Sequence, residues 1–442
     1  MPQSEKIIMH VDMNSYFATC EQQANPAWRG RPLGVCSYLH PKGTIIAASR
    51  EAKTIGIGTG TKVWEAKQIC PDIVLVRDDP TKYRVITERI QAIFNSYTPD
   101  VENYSIDESF LKFQTRKNSK CKTQSAKPQL KADKENKWNR AVEIPAQGGD
   151  DNKRVGDLYD EVEVIAGEIK RRIREEVGDW LTCSIGIAGT KFFAKLGSDF
   201  KKPDGLTLVN DQNVDYLLGE LELTDVWGIS WGLKRQLNAL GIVTPLEIKY
   251  AKPSFLLKKM GKMGYFLWSR MNGLEVDKLN IDEDRKPKSV GHSYTLLKKT
   301  ANKDEIAMLM MKMAEKTGRR LRRKKLRAKV LWVGWQYLYG GGFGRQEKIA
   351  EATDDSWDIF RGVYKHLERK VLHDKISKIF VSVSGLESSA KVQLSILEDK
   401  LKKIRLIESM DKINDRYGEF TVSRGSWHGW TEEIGDRVSF GK

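Results

Sequence analysis

Three acidic residues, set in two short apolar runs, are where chemistry is most readily placed in this sequence. Asp12 closes the run Ile7–Val11, and Asp107 and Glu108 sit side by side between Ile106 and Phe110. Carboxylates among aliphatics are costly to bury unless a cation compensates them. One acid from the first run and two from the second can bind two divalent ions roughly 3.5–4 Å apart. Hard oxygen ligands suit Mg²⁺, which keeps substrate phosphates and waters in its shell. The chemistry such an arrangement serves is displacement at phosphorus: one ion activates a primer 3′-hydroxyl, and the other neutralises a triphosphate and its leaving pyrophosphate. A single acid at a strand end is commonly an ordinary solvated residue. The context Ser105-Ile106-Asp107-Glu108-Ser109 weighs against that reading for the pair.

The elements that must position these acids follow from apolar periodicity. Ile7–Val11 reads as a buried strand that delivers Asp12 at its end, and 16–23 as a helix stopped by Asn25-Pro26. Leu33–Cys36 and Thr44–Ala48 read as strands around a turn at Pro41-Lys42-Gly43, with a helix starting over 51–55. Val85, Ile86, Ile90, Ile93 and Phe94 keep helical spacing within 83–97, and 101–113 reads as a strand segment holding the acidic pair. Residues 114–157 are rich in Lys, Gln, Asn and Asp, so a mobile insertion is expected there. A helix over 159–177, a strand over 183–187 and a helix over 192–200, which carries Lys191 and Lys195, come next. The stretch 224–242 predicts a helix, a glycine-bearing turn and a second helix, and Lys286-Pro287-Lys288 a tether. Beyond it, a helix over 308–326 holds the dense run Arg319–Lys325, and strands at 329–335 and 376–384 flank a helix over 357–369. Gly340, Gly341, Gly342 and Gly344 lack the spacing of a nucleotide-binding loop and read as a plain loop; 389–442 reads as a polar, loosely tethered tail.

The bulk composition limits the function class. Lys plus Arg total 75 against 59 acidic residues in 442, a net charge of +16, which favours a polyanionic partner because each neutralised phosphate releases a counterion. Five scattered cysteines without a C-x-x-C pair argue against a disulfide framework and against a zinc module. No apolar run of about 18 residues is present, and no secretory signal is evident, so a cytoplasmic protein with no membrane span is expected.

Several segments, in order, resemble the Y-family translesion DNA polymerases, and in particular their UmuC/DinB branch. V-D-M-N-S-Y-F-A-T-C-E at 11–21 is similar to the first catalytic strand and helix, A-S-R-E-A-K-T-I-G-I at 48–57 to the finger segment, and Y-S-I-D-E-S at 104–109 to the second catalytic strand. S-I-G-I-A-G-T-K-F-F-A-K-L-G-S-D-F-K-K-P-D-G at 184–205 resembles the palm helix with its phosphate-facing lysine, and V-W-G-I at 226–229 the start of a helix-hairpin-helix. Each is modest alone, whereas five in register are specific. The likeness runs from about Ile7 to about Gly385, outside the insertion.

The resemblance implies a role for each matching position. Asp12, Asp107 and Glu108 would be the metal-binding and catalytic acids, with the Met13 backbone carbonyl as a further ligand of two Mg²⁺ ions. Asn14, Ser15 and Tyr16 would offer backbone N–H groups to phosphate oxygens at a helix start. Phe17 would be the steric gate that rejects a 2′-hydroxyl, and Lys202 would contact the triphosphate. Arg50 and Lys53 stand where the family commonly has Tyr and Arg; both keep a cation near phosphate, although Lys lacks the Arg fork. Gly228, Gly232 and Lys234 would belong to a hairpin that touches DNA phosphates without reading sequence, with Ser230 where relatives usually have a second glycine. Arg319, Arg320, Arg322 and Arg323 would track DNA phosphates, in contrast to the solvated helix face that a charge run usually marks. Gln393, Leu394, Ile396 and Leu397 resemble a short sliding-clamp-binding peptide.

The expected fold is therefore α/β (α+β), a right-hand polymerase. Residues 1–17 and 80–206 would form a ferredoxin-like palm, 18–79 small fingers, 207–285 a helical thumb with the helix-hairpin-helix, 286–388 an α/β little finger, and 389–442 a tail. The expected activity is low-fidelity, template-directed transfer of a deoxynucleotidyl group from a dNTP to a primer end, in the service of DNA repair and the SOS response. Partners would be primer-template DNA, dNTPs, a sliding clamp and accessory SOS subunits, with the enzyme itself a monomer. The rivals are an inactive paralogue acting as a DNA and clamp scaffold, which retention of all three acids disfavours, and another palm-fold enzyme such as a nucleotide cyclase.

Overall fold

The structure, a computed structural model, describes residues 6–114, 150–281, 287–389, 400–418 and 420–423. It divides into a first unit over Met1–Glu283 and a second over Asp284–Asp436.

The first unit is organised by β1 (Lys6–Met13), a strand buried on both faces. Ile7, Met9, Val11 and Met13 point into one core and Ile8 into another, with His10 fully buried on the Ile8 side. After α1 (Tyr16–Ala24), the strands β2 (Leu33–Cys36) and β3 (Ile45–Ala48), the helices α2 (Arg50–Thr54) and α3 (Val63–Ile69), and β4 (Val74–Arg77) make a small three-stranded sheet in the order β3-β2-β4. Cys36, Ile45, Ala52, Ile57 and Val63 give it a core of its own. The chain returns through α4 (Pro80–Asn95), where Asp79 accepts from the amides of Thr81 and Lys82 and Pro80 sets the first helical position.

Next come β5 (Val101–Asn103), β6 (Glu108–Gln114), α5 (Asp150–Arg172), β7 (Cys183–Ala188), α6 (Lys191–Phe200) and β8 (Leu206–Val209). The main sheet has the order β5-β6-β1-β7-β8, antiparallel except for β7 and β8. Its β1-α4-β5-β6-α5-β7 portion is the ferredoxin-like arrangement expected. The segment 101–113 is not one strand: it is a hairpin, and the acidic pair lies where the turn re-enters β6, with the Tyr104 and Ser105 amides donating to Glu108 O. Of the expected insertion, Gln114 ends β6 and 150–157 open α5, while 115–149 lie outside the described residues.

The helices α7 (Val214–Glu220), α8 (Trp231–Asn238), α9 (Pro245–Tyr250) and α10 (Pro253–Met271) share a core with α6 and the Ile8 face of the sheet. The expected helix-turn-helix over 224–242 holds a single α-helix, α8, preceded by one 3-10 turn at Leu223–Asp225. No helix among the described residues is long and apolar enough to cross a membrane.

The second unit contains β9 (Ser289–Thr300), α11 (Lys303–Arg323), β10 (Leu326–Tyr337), β11 (Gly342–Thr353), α12 (Ser356–Glu368), β12 (Ile376–Ser388) and α13 (Lys400–Tyr417). Its antiparallel sheet has the order β11-β10-β12-β9. Helices α11 and α12 cover the face that carries Leu331, Val333, Trp335, Val381 and Val383. Gly340 and Gly341, at φ of 106° and 71°, form the turn between β10 and β11, a conformation open to glycine. Part of the tail is not loose. Asp411 and Asp415 of α13 hold Arg319, Arg322 and Arg323 of α11, and Lys403 pairs with Asp355 before α12.

Candidate active site

Strand register brings the acids together. Asp12 is paired with Glu108 across β1 and β6, and the Met13 amide donates to Asp107 O at 2.9 Å, which pins the hairpin turn beside the end of β1. Burial pushes the Asp107 carboxyl up; Ser105 Oγ, 2.5 Å from its Oδ1, opposes this, and repulsion from Asp12 and Glu108 adds to it. At Glu108 burial acts in the same direction, yet the contact with His10 and the charge of Lys195 hold its pKa down to about 2. His10 Nε2 lies 3.2 Å from Glu108 Oε2, off the line of a good hydrogen bond, and Nδ1 lies 2.7 Å from Ser198 Oγ. Burial lowers the imidazole pKa, against the Glu108 contact.

Helix α6 supplies the cations. A Cβ on Gly186 would sit 2.0 Å from Ala194 O and 2.4 Å from Ser198 N, so only glycine lets α6 lie this close to β7. That approach puts Lys195 on Glu108 and Lys191 on the buried Glu102, at 2.7 and 2.8 Å. Just past α6, Lys202 Nζ is 2.9 Å from Asp12 Oδ2 and 2.7 Å from Asp199 Oδ1. Burial disfavours the Lys202 ammonium, and these two carboxylates more than offset it. His10, Lys195 and Ser198 were not singled out from the sequence as site residues. The available signals were the two-residue step from His10 to Asp12 on one strand face and the one-turn spacing of Lys191, Lys195 and Ser198.

Of these groups Asp12, Asp107 and Lys202 border a cleft of about 590 Å³, lined also by Met13 to Phe17, Ile46 to Ala48, Arg50, Lys53, Thr54, Thr59 and Pro203. Phe17 is 2% exposed, and its ring stacks on Tyr83 with centroids 4.5 Å apart and planes 18° apart. Tyr16 turns away, its hydroxyl donating to Tyr83 O at 2.8 Å. Ser15, at φ 48°, precedes α1, and no side chain caps the helix start. Asn14 differs from expectation: its amide already donates to Thr182 O at 2.9 Å and is not offered to a phosphate. Arg50 and Lys53 are exposed on α2.

Among the described residues, no three His, Cys, Asp or Glu side chains converge as a ready metal-ligand set. The ammonium groups of Lys202 and Lys195 lie on Asp12 and Glu108 instead. The donor set nonetheless fits hard divalent cations: Asp12 and Asp107 line one cleft with Glu108 paired to Asp12 beside it, and Asp107 is destabilised by burial and further by the charge of the other two.

The DNA polymerase IV of Acetivibrio thermocellus is 27% identical over 428 residues, covering 95% of this chain and 97% of that one. DNA polymerase IV 1 of Bacillus subtilis is 27% identical over 437 residues, 96% and 94% of the two chains. A solved Y-family DNA polymerase chimera superposes with a TM-score of 0.67 at 22% identity, covering 86% of this chain and 98% of that one. Residues 11–199 match the impB/mucB/samB family and 287–396 match its C-terminal domain, together well over half of the chain. The chain belongs to this family of Y-family translesion DNA polymerases.

In the polymerase, the positions expected to touch DNA fall into two groups. Gly228, at φ 96°, forms the bend before α8, and a Cβ there would approach Arg270 Nη1 to 3.3 Å. Ser230 caps α8 by accepting from Leu233 N; Gly232 lies in its first turn. Lys234 pairs with Glu222 at 2.9 Å and lies over the exposed Trp231 ring. The second group, on α11, is placed otherwise than expected. Arg319 is 3% exposed and bonded to Asp415 at 2.7 Å, and Arg322 grips Asp411 through two nitrogens at 2.6 and 3.0 Å. Arg323 also pairs with Asp415, and Arg320 donates to Gly291 O at 3.3 Å. An arginine fork that holds a carboxylate of its own chain is not presented to a phosphate. Gln393, Leu394, Ile396 and Leu397 lie outside the described residues.

Proposed function

We propose that the polymerase performs its nucleotidyl transfer at the cleft bordered by Asp12 and Asp107, with Glu108 beside it. One observation carries this reading: β1–β6 register and the Met13–Asp107 hydrogen bond bring Glu108 beside Asp12 and Asp107, which line one cleft together with Lys202. The three acids, with the Met13 carbonyl, would hold two Mg²⁺ ions, which would activate the primer 3′-hydroxyl and neutralise charge on the triphosphate and departing pyrophosphate. Lys202 binds the triphosphate with its ammonium, and Arg50 and Lys53 add positive charge on the facing wall. The N–H groups of Ser15 and Tyr16, at the start of α1, donate to phosphate oxygens. Phe17 closes the sugar end and rejects a 2′-hydroxyl by contact.

Residues 1–17 and 80–206 act as palm, 18–79 as fingers, 207–285 as thumb and 286–388 as little finger. In the little finger, DNA runs over the sheet face opposite α11 and α12. There the T-shaped Trp332–Phe380 pair lies with Lys378 over the Phe380 ring, and Gln346 and Ser382 flank Trp332. The hairpin at Gly228 to Lys234 contacts the duplex backbone, and Gln393, Leu394, Ile396 and Leu397 bind a sliding clamp in the cytoplasm.

Asp107→Ala or Glu108→Ala is expected to lower single-turnover primer extension by at least about 10³-fold while primer–template affinity stays within a few-fold. Extension by either variant near the wild-type rate sinks the assignment.

A further inference from the structure

Asn14 was expected to serve phosphate through its backbone, but its amide is taken by Thr182 O, so its function lies in the side chain. The carboxamide is 6% exposed, beside Asp12, and all of its bonds run to the frame that carries Lys202. Its Oδ1 accepts from the Asp204 amide at 2.8 Å and from Thr182 Oγ1 at 3.1 Å. Its Nδ2 donates to Ser184 Oγ at 2.9 Å, and that oxygen also accepts from the Gly205 amide at 3.4 Å.

The loop after α6, residues 201–205, needs such holding. Asp204 has φ 57°, a left-handed conformation that a non-glycine residue adopts at a cost. A Cβ on Gly205 would fall 1.8 Å from Lys201 O, so the loop is folded tightly on itself. From α5, Lys170 Nζ donates to Asp204 O at 2.6 Å and to Gly205 O at 3.1 Å, and both Lys170 and Arg174 pair with the Asp204 carboxylate. The loop is thus gripped on one side by the end of β1 and on the other by α5. Between the grips stands Lys202, 2.9 Å from Asp12.

We propose that Asn14 is a positioning residue for nucleotide binding: its carboxamide fixes the loop that aims Lys202 at the triphosphate, and the Asp204 pairs with Lys170 and Arg174 hold the same loop from behind. This rests on the assignment of Lys202 to the triphosphate. A primary amide suits the task because it accepts from two groups and donates to a third at once. Alanine leaves the part-buried Asp204 amide and the buried Ser184 hydroxyl without that partner.

The test is a double-mutant cycle on the full-length enzyme, with dNTP KM and kcat measured on a primer–template and DNA affinity measured separately. Lys202→Ala, Asn14→Ala and Asp204→Asn are each combined. Asn14→Ala is expected to raise the dNTP KM about tenfold, with kcat changed less than threefold and primer–template Kd within twofold. The Asn14→Ala/Lys202→Ala double variant is expected to be no worse than Lys202→Ala alone. If Lys202→Ala raises KM but the Asn14 effect adds to it in full, or is absent, positioning by Asn14 is overturned while the role of Lys202 stands. If Lys202→Ala itself leaves KM unchanged, the underlying assignment fails. Should Asn14→Ala fold poorly, Asp204→Asn in the same cycle perturbs the loop without touching β1, and full additivity there overturns the proposal equally.

Discussion

Phe17 is backed by a plane that has little freedom to yield. Its ring lies flat on Tyr83, whose hydroxyl donates to Glu21 Oε1 at 2.7 Å; the buried Glu21 also receives Lys82 at 2.8 Å. A gate is only as selective as the surface behind it, since a ring that can retreat by an ångström admits one more oxygen. Phe17→Ala is therefore expected to raise incorporation of rNTP relative to dNTP by at least tenfold in side-by-side primer extension. Tyr83→Leu, which leaves Phe17 in place but removes the stack, is expected to give a smaller rise in the same ratio. An unchanged ratio for Phe17→Ala would mean that the ring only packs. At this scale much was readable in advance: Asp12, Asp107, Glu108, Phe17 and Lys202 all border the cleft or its carboxylates. Asn14 was assigned by its backbone because sequence spacing does not show which N–H groups a neighbouring strand consumes.

Among the elements, α6 depends on the absence of side chains beneath it. Gly186→Ala is expected to destabilise the first unit by about 1–3 kcal/mol, the usual cost of overpacking, because the new methyl meets backbone atoms of α6. Denaturant unfolding reads that cost. Activity should fall further than stability, since α6 carries Lys195 to Glu108. Helix α13 calls for a second test. Asp411→Ala with Asp415→Ala removes two carboxylates from the buried Arg319, and losing one side of a buried pair costs about 3–5 kcal/mol. Unchanged unfolding of the second unit would show that α13 only rests on α11. Elements with an apolar rhythm were legible in the sequence, including β1, α4, β7 and the helical spacing of α11. Strands β4 and β8 and helices α7 and α10 were not read although apolar residues mark them, and three further misses lacked that rhythm. Strand β11 is an edge strand with mostly polar, exposed residues, the hairpin turn inside 101–113 is set by Ser105 and the Met13 contact, and α13 docks largely through charge.

For the whole molecule, docking of α13 changes how the clamp peptide has to be tested. Deleting everything beyond Ser389 removes α13 together with Gln393 and Leu394, so it confounds tethering with the integrity of the second unit. Gln393→Ala with Leu394→Ala separates the two. This pair is expected to keep distributive synthesis and to lose the increase in product length given by a loaded clamp, because tethering acts through effective concentration. Full stimulation of the pair would dismiss the peptide. The Arg–Asp contacts between α11 and α13 also impose an order in time. Their partners are separated by 89 to 96 residues along the chain. At about 5–20 residues per second, a ribosome makes Arg319 roughly 5–20 s before Asp415. During that interval α11 lacks the Asp411 and Asp415 carboxylates that hold Arg319, Arg322 and Arg323, so this contact of the second unit forms only once α13 has been made.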